Sequence, residues 1–192
     1  MKKIPTMFER DWAGDKSRVL NKIHPGCEWV LAGEGIATRK IDGTSCLVRE
    51  GKLYKRREIR AGEPAPPDFE LSDQDEETGK SIGWLPVTDG PEDRWHREAF
   101  AAEEARILDG TYELIGPKIQ GNPERAEKNM LVSHEATGEL PSAPRTFDEL
   151  KKWFAERDIE GIVFHHPDGR MAKVKLCDFG FSRKNSAMAA AR

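Results

Sequence analysis

Two tight-turn signals, Glu50-Gly51 and Pro167-Asp168-Gly169, each stand between short runs of strand-forming residues, and this restricts the fold more than any other feature. Thr44–Arg49 and Leu53–Ile59 flank the first turn, and Gly161–His165 and Arg170–Leu176 flank the second. Strands joined this tightly pair antiparallel, because a parallel pair needs a long crossover connection. Further extended runs are Glu28 to Val48, broken by a turn at Gly33-Glu34-Gly35, then Ser81–Val87, Thr111–Ile115 and Met130–His134. Only two stretches carry a helical period. Pro91 opens one that runs to about Leu108, with Glu92 and Asp93 in the first turn and Trp95 and Ala99 as core contacts. The other runs from Thr146 to Arg157 and aligns Phe147, Leu150, Trp153 and Phe154 along one stripe. The expected class is α+β: antiparallel β-sheets with flanking helices.

Between these elements the sequence predicts irregular structure. Residues 1–27 read as an irregular N-terminal strap holding Phe8, Trp12 and Val19. Residues 61–80, with Pro64, Pro66 and Pro67 ahead of an acidic run, read as a mobile surface loop. The whole chain, 1–192, is expected to form one domain, long enough for a real core. Cys27, Cys46 and Cys177 are odd in number and widely spaced, which argues against a disulfide framework or a Cys-x-x-Cys zinc site. No apolar run approaches the roughly 18 residues of a membrane span, and the N-terminus lacks an apolar signal core. A cytoplasmic location, without membrane or obligate protein partner, is the expectation. The net charge of −3 does not by itself suggest nucleic acid, but the signs are segregated. Lys52, Lys55, Arg56, Arg57 and Arg60 form one basic cluster, the tail at 182–192 is basic, and Asp68, Glu70, Asp73, Asp75, Glu76 and Glu77 gather the acids.

The chemistry concentrates on Ala37-Thr38-Arg39-Lys40-Ile41-Asp42-Gly43-Thr44, within a strand-like run from Gly35 to Arg49. A period of two puts Lys40 and Asp42 on one face. Near the other end, Glu160-Gly161-Ile162-Val163 precedes Lys173-Val174-Lys175, whose amines also share a face. Between them lie Tyr112-Glu113-Leu114-Ile115 and Gly116-Pro117-Lys118-Ile119-Gln120-Gly121-Asn122.

In order and composition these motifs resemble those of the covalent nucleotidyltransferases, the superfamily of nucleic-acid ligases and capping enzymes. The chain is most similar to the ATP-dependent, stand-alone RNA ligases related to the vertebrate 5′-3′ RNA ligase, roughly from Trp29 to Phe181. The resemblance implies the adenylation-domain fold of that superfamily, ATP as AMP donor and Mg²⁺ or Mn²⁺. RNA ends bearing a 5′-phosphate and a 3′-hydroxyl would be the substrates. It implies Lys40 as nucleophile, with Lys173, Lys175 and Arg56 as catalytic cations and Arg57 competing with Arg56. Thr38, Arg39, Glu113 and His134 would bind nucleotide with Lys40, Lys173 and Lys175: Glu113 at the ribose, His134 against the base. Glu160 and Asp42 would serve the metal, and Lys118, Arg183 and Lys184 would line an RNA rim. His165 and His166, as neighbours, point opposite ways and make no metal pair.

Two other classes share some of these features. DNA nick ligases and GTP-using capping enzymes add a further domain after Lys-x-Lys, for which the residues after Lys175 are too few. An inactive nucleic-acid-binding module would not need Lys40, Glu113, Glu160 and Lys173 together. Val174–Gly180 also imitates the Asp-Phe-Gly segment of protein kinases, but the upstream His-Arg-Asp loop and glycine-rich strand pair of a kinase are missing.

Overall fold

A computed structural model of the chain describes residues 3–75, 78–103 and 107–183. Lys184 and the rest of the expected basic tail lie outside them, as does Arg106 on the first predicted helix. The described residues are α+β with antiparallel sheets, and the chain divides into two compact units. One comprises Met1–Lys3 and Asp42–Ala136, the other Ile4–Ile41 and Thr137–Arg192. No helix among the described residues is long and apolar enough to cross a membrane.

The discontinuous unit begins with β1 (Phe8–Arg10) and β2 (Val19–Ile23), an antiparallel pair where the sequence reading expected an irregular strap. Next comes α1 (Glu28–Leu31), a single helical turn. This corrects the extended reading of Glu28–Leu31, and the physical reason lies far along the chain. Arg145 donates to the carbonyls of Val30, Glu34 and Gly35, tying the end of the turn and the segment after it to a distant side chain. Anchoring of this kind, with the burial of Trp29 and Val30, overrides their β preference.

β3 (Ile36–Lys40) then runs antiparallel to β10 (Gly161–His165), which pairs on its other side with β11 (Met171–Lys175). Both outer edges of this three-stranded sheet are covered. Met7 donates to the Lys173 carbonyl and Lys173 to that of Pro5, while Leu140 and Arg39 donate to Ala37 and Gly138. Covering the edges removes the unpaired N–H and C=O groups that invite association. One sheet face packs Ala37, Ile162, Phe164, Ala172 and Val174 into the core. α3 (Phe147–Ala155) supplies Leu150 and Phe154, both fully buried, as its stripe predicts. Phe147 meets Phe8 and Phe179 edge-on at 5.2 and 5.1 Å between centroids, a favoured arrangement of aromatic quadrupoles.

The other unit holds a six-stranded antiparallel sheet. Its strands are β4 (Thr44–Arg49), β5 (Lys52–Ile59), β6 (Glu70–Gln74), β7 (Ser81–Pro86), β8 (Gly110–Ile115) and β9 (Met130–Ser133). Their spatial order is β6-β7-β5-β4-β8-β9. The Glu50-Gly51 hairpin forms as read, pairing Arg49 with Lys52 and Cys46 with Lys55. β6 corrects the expected loop at 61–80. Its residues are charged or polar except for Leu71, so it lacks an apolar period, and its structure comes from pairing with β7. A charged edge strand discourages further pairing. Within the acidic run Asp75 is buried, accepting hydrogen bonds from Lys3 and from Thr78. α2 (Arg94–Glu103) follows a 3-10 turn at Pro91–Asp93 and places Ala99 in a core with Cys46, Val48, Leu114 and Leu131.

Because Phe154 is fully buried among Phe179 and Trp153, Phe154→Ala is expected to cost about 3–5 kcal/mol of stability. Urea unfolding followed by circular dichroism checks this.

Candidate active site

The face of the three-stranded sheet turned away from the hydrophobic core carries its side chains in rows set by register. Lys40 on β3 stands opposite Gly161, which stands opposite Lys175. The next row is Thr38, Val163 and Lys173, and the third is Ile36, His165 and Met171. Lysines two strands apart would ordinarily be separated by the side chain between them. Here that residue is glycine, and an ideal Cβ at Gly161 would fall 2.3 Å from the Val174 carbonyl. No other residue fits without separating β10 from β11.

Glu160, immediately before β10, places its carboxylate between the two amines. Its Oε2 accepts from Lys40 Nζ at 2.6 Å and its Oε1 from Lys175 Nζ at 2.6 Å. Glu160 is only 13% exposed, and Lys40 and Lys175 only 22% and 29%. Burial raises the affinity of the Glu160 carboxylate for a proton, but the two ammonium groups outweigh it and hold its pKa below the ordinary value. For Lys175 burial opposes the charge, and the Glu160 carboxylate more than reverses that, so its pKa lies above the ordinary lysine value. The sequence reading placed Lys173, Lys175 and Arg56 as the cations about Lys40 and gave Glu160 and Asp42 to the metal. The structure puts the Glu160 carboxylate between Lys40 and Lys175.

Lys175 is held from behind by Asp178, which sits in the 3-10 turn Leu176–Phe179. Asp178 Oδ2 accepts from the Lys175 backbone N–H at 2.7 Å and Oδ1 from the Arg10 guanidinium at 3.0 Å. The kinase-like Asp-Phe-Gly segment is thus a structural stop for β11. Thr38 shares the Lys40 face, and its Oγ1 lies 3.0 Å from His165 Nε2 and 3.4 Å from the Val163 carbonyl oxygen. Arg39 is one residue out of phase and belongs to the opposite side of the strand. His165 and His166 do diverge: His166 bonds Glu34 at 2.7 Å and meets Trp29 edge-on.

The six-stranded sheet positions another group. Glu113, buried on β8, accepts from or bonds His134 Nε2 at 3.0 Å, and His134 Nδ1 lies 3.0 Å from Thr111 Oγ1. Two hydrogen bonds fix the plane of the ring. The register pairs Ser45 with Glu113 and, one strand further, Cys46 with Lys55. Arg56 therefore occupies the Glu113 face and Arg57 the opposite one. Asp42 donates its backbone N–H to Glu124 at 3.2 Å. The neighbouring Gly43 allows β4 to approach β8, since a Cβ there would lie 2.2 Å from the Leu114 carbonyl.

Among the described residues no three His, Cys, Asp or Glu side chains gather where they could hold a metal ion. Lys118 is exposed on the loop after β8. Arg183 departs from its expected place on an RNA rim. It is buried, with its guanidinium bonded to the Asp158 carbonyl at 3.1 Å and close to the Asp158 carboxylate, so it anchors the segment after β11. Sequence reasoning missed Asp178 and His165. Counting in twos from Gly161 would have placed His165 on the Lys40 face, whereas nothing local signals the reach of Asp178 to Arg10.

No protein-family model matches the chain. It is 29% identical to RNA ligase 1 of Mus musculus over 154 residues, which cover 62% of this chain and 44% of that protein. RNA ligase 1 of Pongo abelii is 35% identical over 94 residues, 44% of this chain and 28% of that one. RNA ligase 1 of Danio rerio is 29% identical over 104 residues, 50% of this chain and 32% of that one. The chain matches less than half the length of each of these relatives. It is related to RNA ligases of the vertebrate type.

The Glu160 bridge predicts a pH signature. Its lowered pKa means that its contribution to stability is complete above the ordinary glutamate range and is lost as pH falls through the depressed value. The raised pKa of Lys175 contributes stability that is complete below the ordinary lysine value and is lost as pH rises through the elevated one. Glu160→Gln is expected to cost about 3–5 kcal/mol near neutrality, since it leaves two half-buried ammonium groups side by side. It should also flatten the acid limb of a stability profile measured by urea unfolding across pH.

Proposed function

We propose that this chain is an ATP-dependent RNA ligase that acts through a covalent lysyl-AMP on Lys40 and has the adenylation-domain fold of the covalent nucleotidyltransferases. The observation that carries this reading is the Lys40–Glu160–Lys175 row, with Lys173 on the same face one row away. The similarity to proteins named RNA ligase 1 supports it from the sequence side.

In the first step the Lys40 amine attacks the α-phosphorus of ATP, forming an N–P bond while the bond to pyrophosphate breaks. Lys40 attacks as the neutral amine, and the neighbouring Lys175 and Lys173 disfavour a further positive charge beside them. An incoming triphosphate competes with Glu160 for the ammonium groups, and Lys175 and Lys173 then neutralise its charge and that of the transition state. In the second step an RNA 5′-phosphate displaces Lys40 from phosphorus, giving an RNA adenylate. In the third, an RNA 3′-hydroxyl attacks that 5′-phosphate and AMP leaves.

Glu160 places one carboxylate on this face, the hard oxygen donor that Mg²⁺ or Mn²⁺ would take once the ammonium groups turn to phosphate. Glu160 is the carboxylate that would hold it, and the ion would neutralise phosphate charge. In the other unit we assign Glu113 to ribose, His134 to the base, Arg56 to phosphate and Asp42 to the outer sphere of the metal. The exposed Lys118 is the remaining described candidate for RNA phosphate contacts, which bind without reading sequence.

Incubation with ATP and Mg²⁺ is expected to add one AMP mass to the protein, on Lys40, in intact-protein mass spectrometry. An unchanged adduct in Lys40→Ala would overturn the assignment. With α-labelled nucleotides and denaturing electrophoresis, label from GTP alone would favour a capping-type enzyme. Lys175→Ala should keep a native circular dichroism spectrum and lose on the order of 10²–10³ in adenylylation rate. A near-normal rate would remove Lys175 from the machinery.

A further inference from the structure

Among the described residues, the large apolar side chains left exposed include one aromatic ring, Trp12, which is 51% exposed. A single exposed ring is ordinary, but the loop that displays this one, between β1 and β2, is braced. Asp11 Oδ1 accepts from the Gly14 N–H at 2.8 Å and Asp15 Oδ1 from the Ser17 N–H at 2.9 Å. The Asp11 N–H closes the loop by donating to the Arg18 carbonyl at 3.1 Å. Both of its sides are also tied to the 3-10 turn that ends β11. Arg10 donates to Asp178 Oδ1 at 3.0 Å, while Oδ2 of the same carboxylate accepts from the Lys175 N–H at 2.7 Å. Arg18 Nη1 donates to the Phe179 carbonyl at 3.1 Å. Two residues of chain span at most about 7 Å, so Trp12 is held close to the strand end that carries Lys175.

The charges around the ring are sorted as well. Arg10 pairs with Asp178, Arg18 with Asp15 and Lys22 with Glu9. Lys16 is in no such pair, and its ammonium group lies 6.0 Å from the Trp12 ring centroid. The carboxylates of Asp11 and Asp15 are already engaged by N–H groups of the loop. An open aromatic face with an unpaired cation at its side suits a nucleobase and the phosphate next to it. We propose that Trp12 and Lys16 form a platform on which an unpaired base of the RNA strand stacks, a few nucleotides from the end held at Lys175. Every base has a π-face, so the platform binds without reading sequence. This rests on the RNA-ligase reading for the presence of RNA, and it adds a contact outside the Lys40–Glu160–Lys175 row. The reaction of Lys40 with ATP does not involve it.

Fluorescence anisotropy with a labelled, 5′-phosphorylated single-stranded RNA tests the platform. Trp12→Ala is expected to weaken binding by roughly ten- to a hundredfold, and Trp12→Tyr, which keeps a ring, to retain most of the affinity. Lys16→Gln should lower the slope of log affinity against log salt by about 0.7. A blunt RNA duplex, with no unpaired base, should bind the wild type and Trp12→Ala equally. Trp12→Ala should keep a native circular dichroism spectrum and a normal yield of the Lys40 adduct from ATP, while transfer of AMP to RNA falls with the affinity. Equal affinity of wild type and Trp12→Ala for the single strand, or no RNA binding by the wild type, overturns the proposal. So does sedimentation showing that Trp12→Ala turns a dimer into a monomer with RNA affinity unchanged, since the ring would then cover a second copy of the chain. The two readings fail separately. No adduct on wild-type Lys40 refutes the lysyl-AMP step whatever the RNA affinities, and an RNA affinity indifferent to Trp12 refutes the platform whatever the adduct.

Discussion

One carboxylate holding two ammonium groups is the constraint from which the functional face follows. Two lysine amines brought side by side in a half-buried setting repel each other, and each loses hydration. Glu160 offsets both effects with one oxygen for each amine. That geometry demands a bare backbone between the lysines, which is why Gly161 stands in the middle of the row. It also demands that the end of β11 be fixed, and Asp178 fixes it by bonding the Lys175 backbone and Arg10 together. Charge, packing space and strand termination here form a single arrangement.

Such a site is poised by competition. A carboxylate that neutralises two lysines in the absence of ligand is a stand-in for phosphate, of the same sign and with a similar spacing of oxygens. For the proposed polyphosphate ligand, the cations would not need to move far to change partners. An arrangement of this kind keeps the free protein stable without a counter-ion and keeps the binding face rigid, since the β-strands that carry the lysines are paired on both sides.

How much of this was legible in the sequence depended on the range of the interaction responsible. The hairpins at Glu50-Gly51 and Pro167-Asp168-Gly169 and the stripe of α3 are local, and they formed where the pattern put them. The same is true of the shared face of Lys173 and Lys175, which follows from period two alone. Register across strands is not local, so the row joining Lys40 to Lys175 and the choice of face for Arg56 needed coordinates. The clearest misreadings had distant causes. Glu28–Leu31 is a buried helical turn whose end Arg145 anchors, Glu70–Gln74 is a strand because β7 pairs with it, and Arg183 is buried because Asp158 holds it. A charge in a sequence does not reveal whether its partner is water or a residue far along the chain.

The unit that carries Lys40 is assembled from two separated stretches, Ile4–Ile41 and Thr137–Arg192, whereas the other is nearly continuous. During synthesis from the N-terminus, β3 emerges early, but its partner β10 follows only after the whole intervening unit. Until then β3 is an unpaired strand that carries Lys40, with no Glu160 carboxylate beside it. Closing so long a loop is slow, and a waiting strand edge is exposed to mispairing. The continuous unit can fold in the interval, which shortens the effective gap between the two halves. The Lys40–Glu160–Lys175 row is therefore among the last parts of the molecule to form, and a nascent chain lacks it until synthesis has passed Lys175.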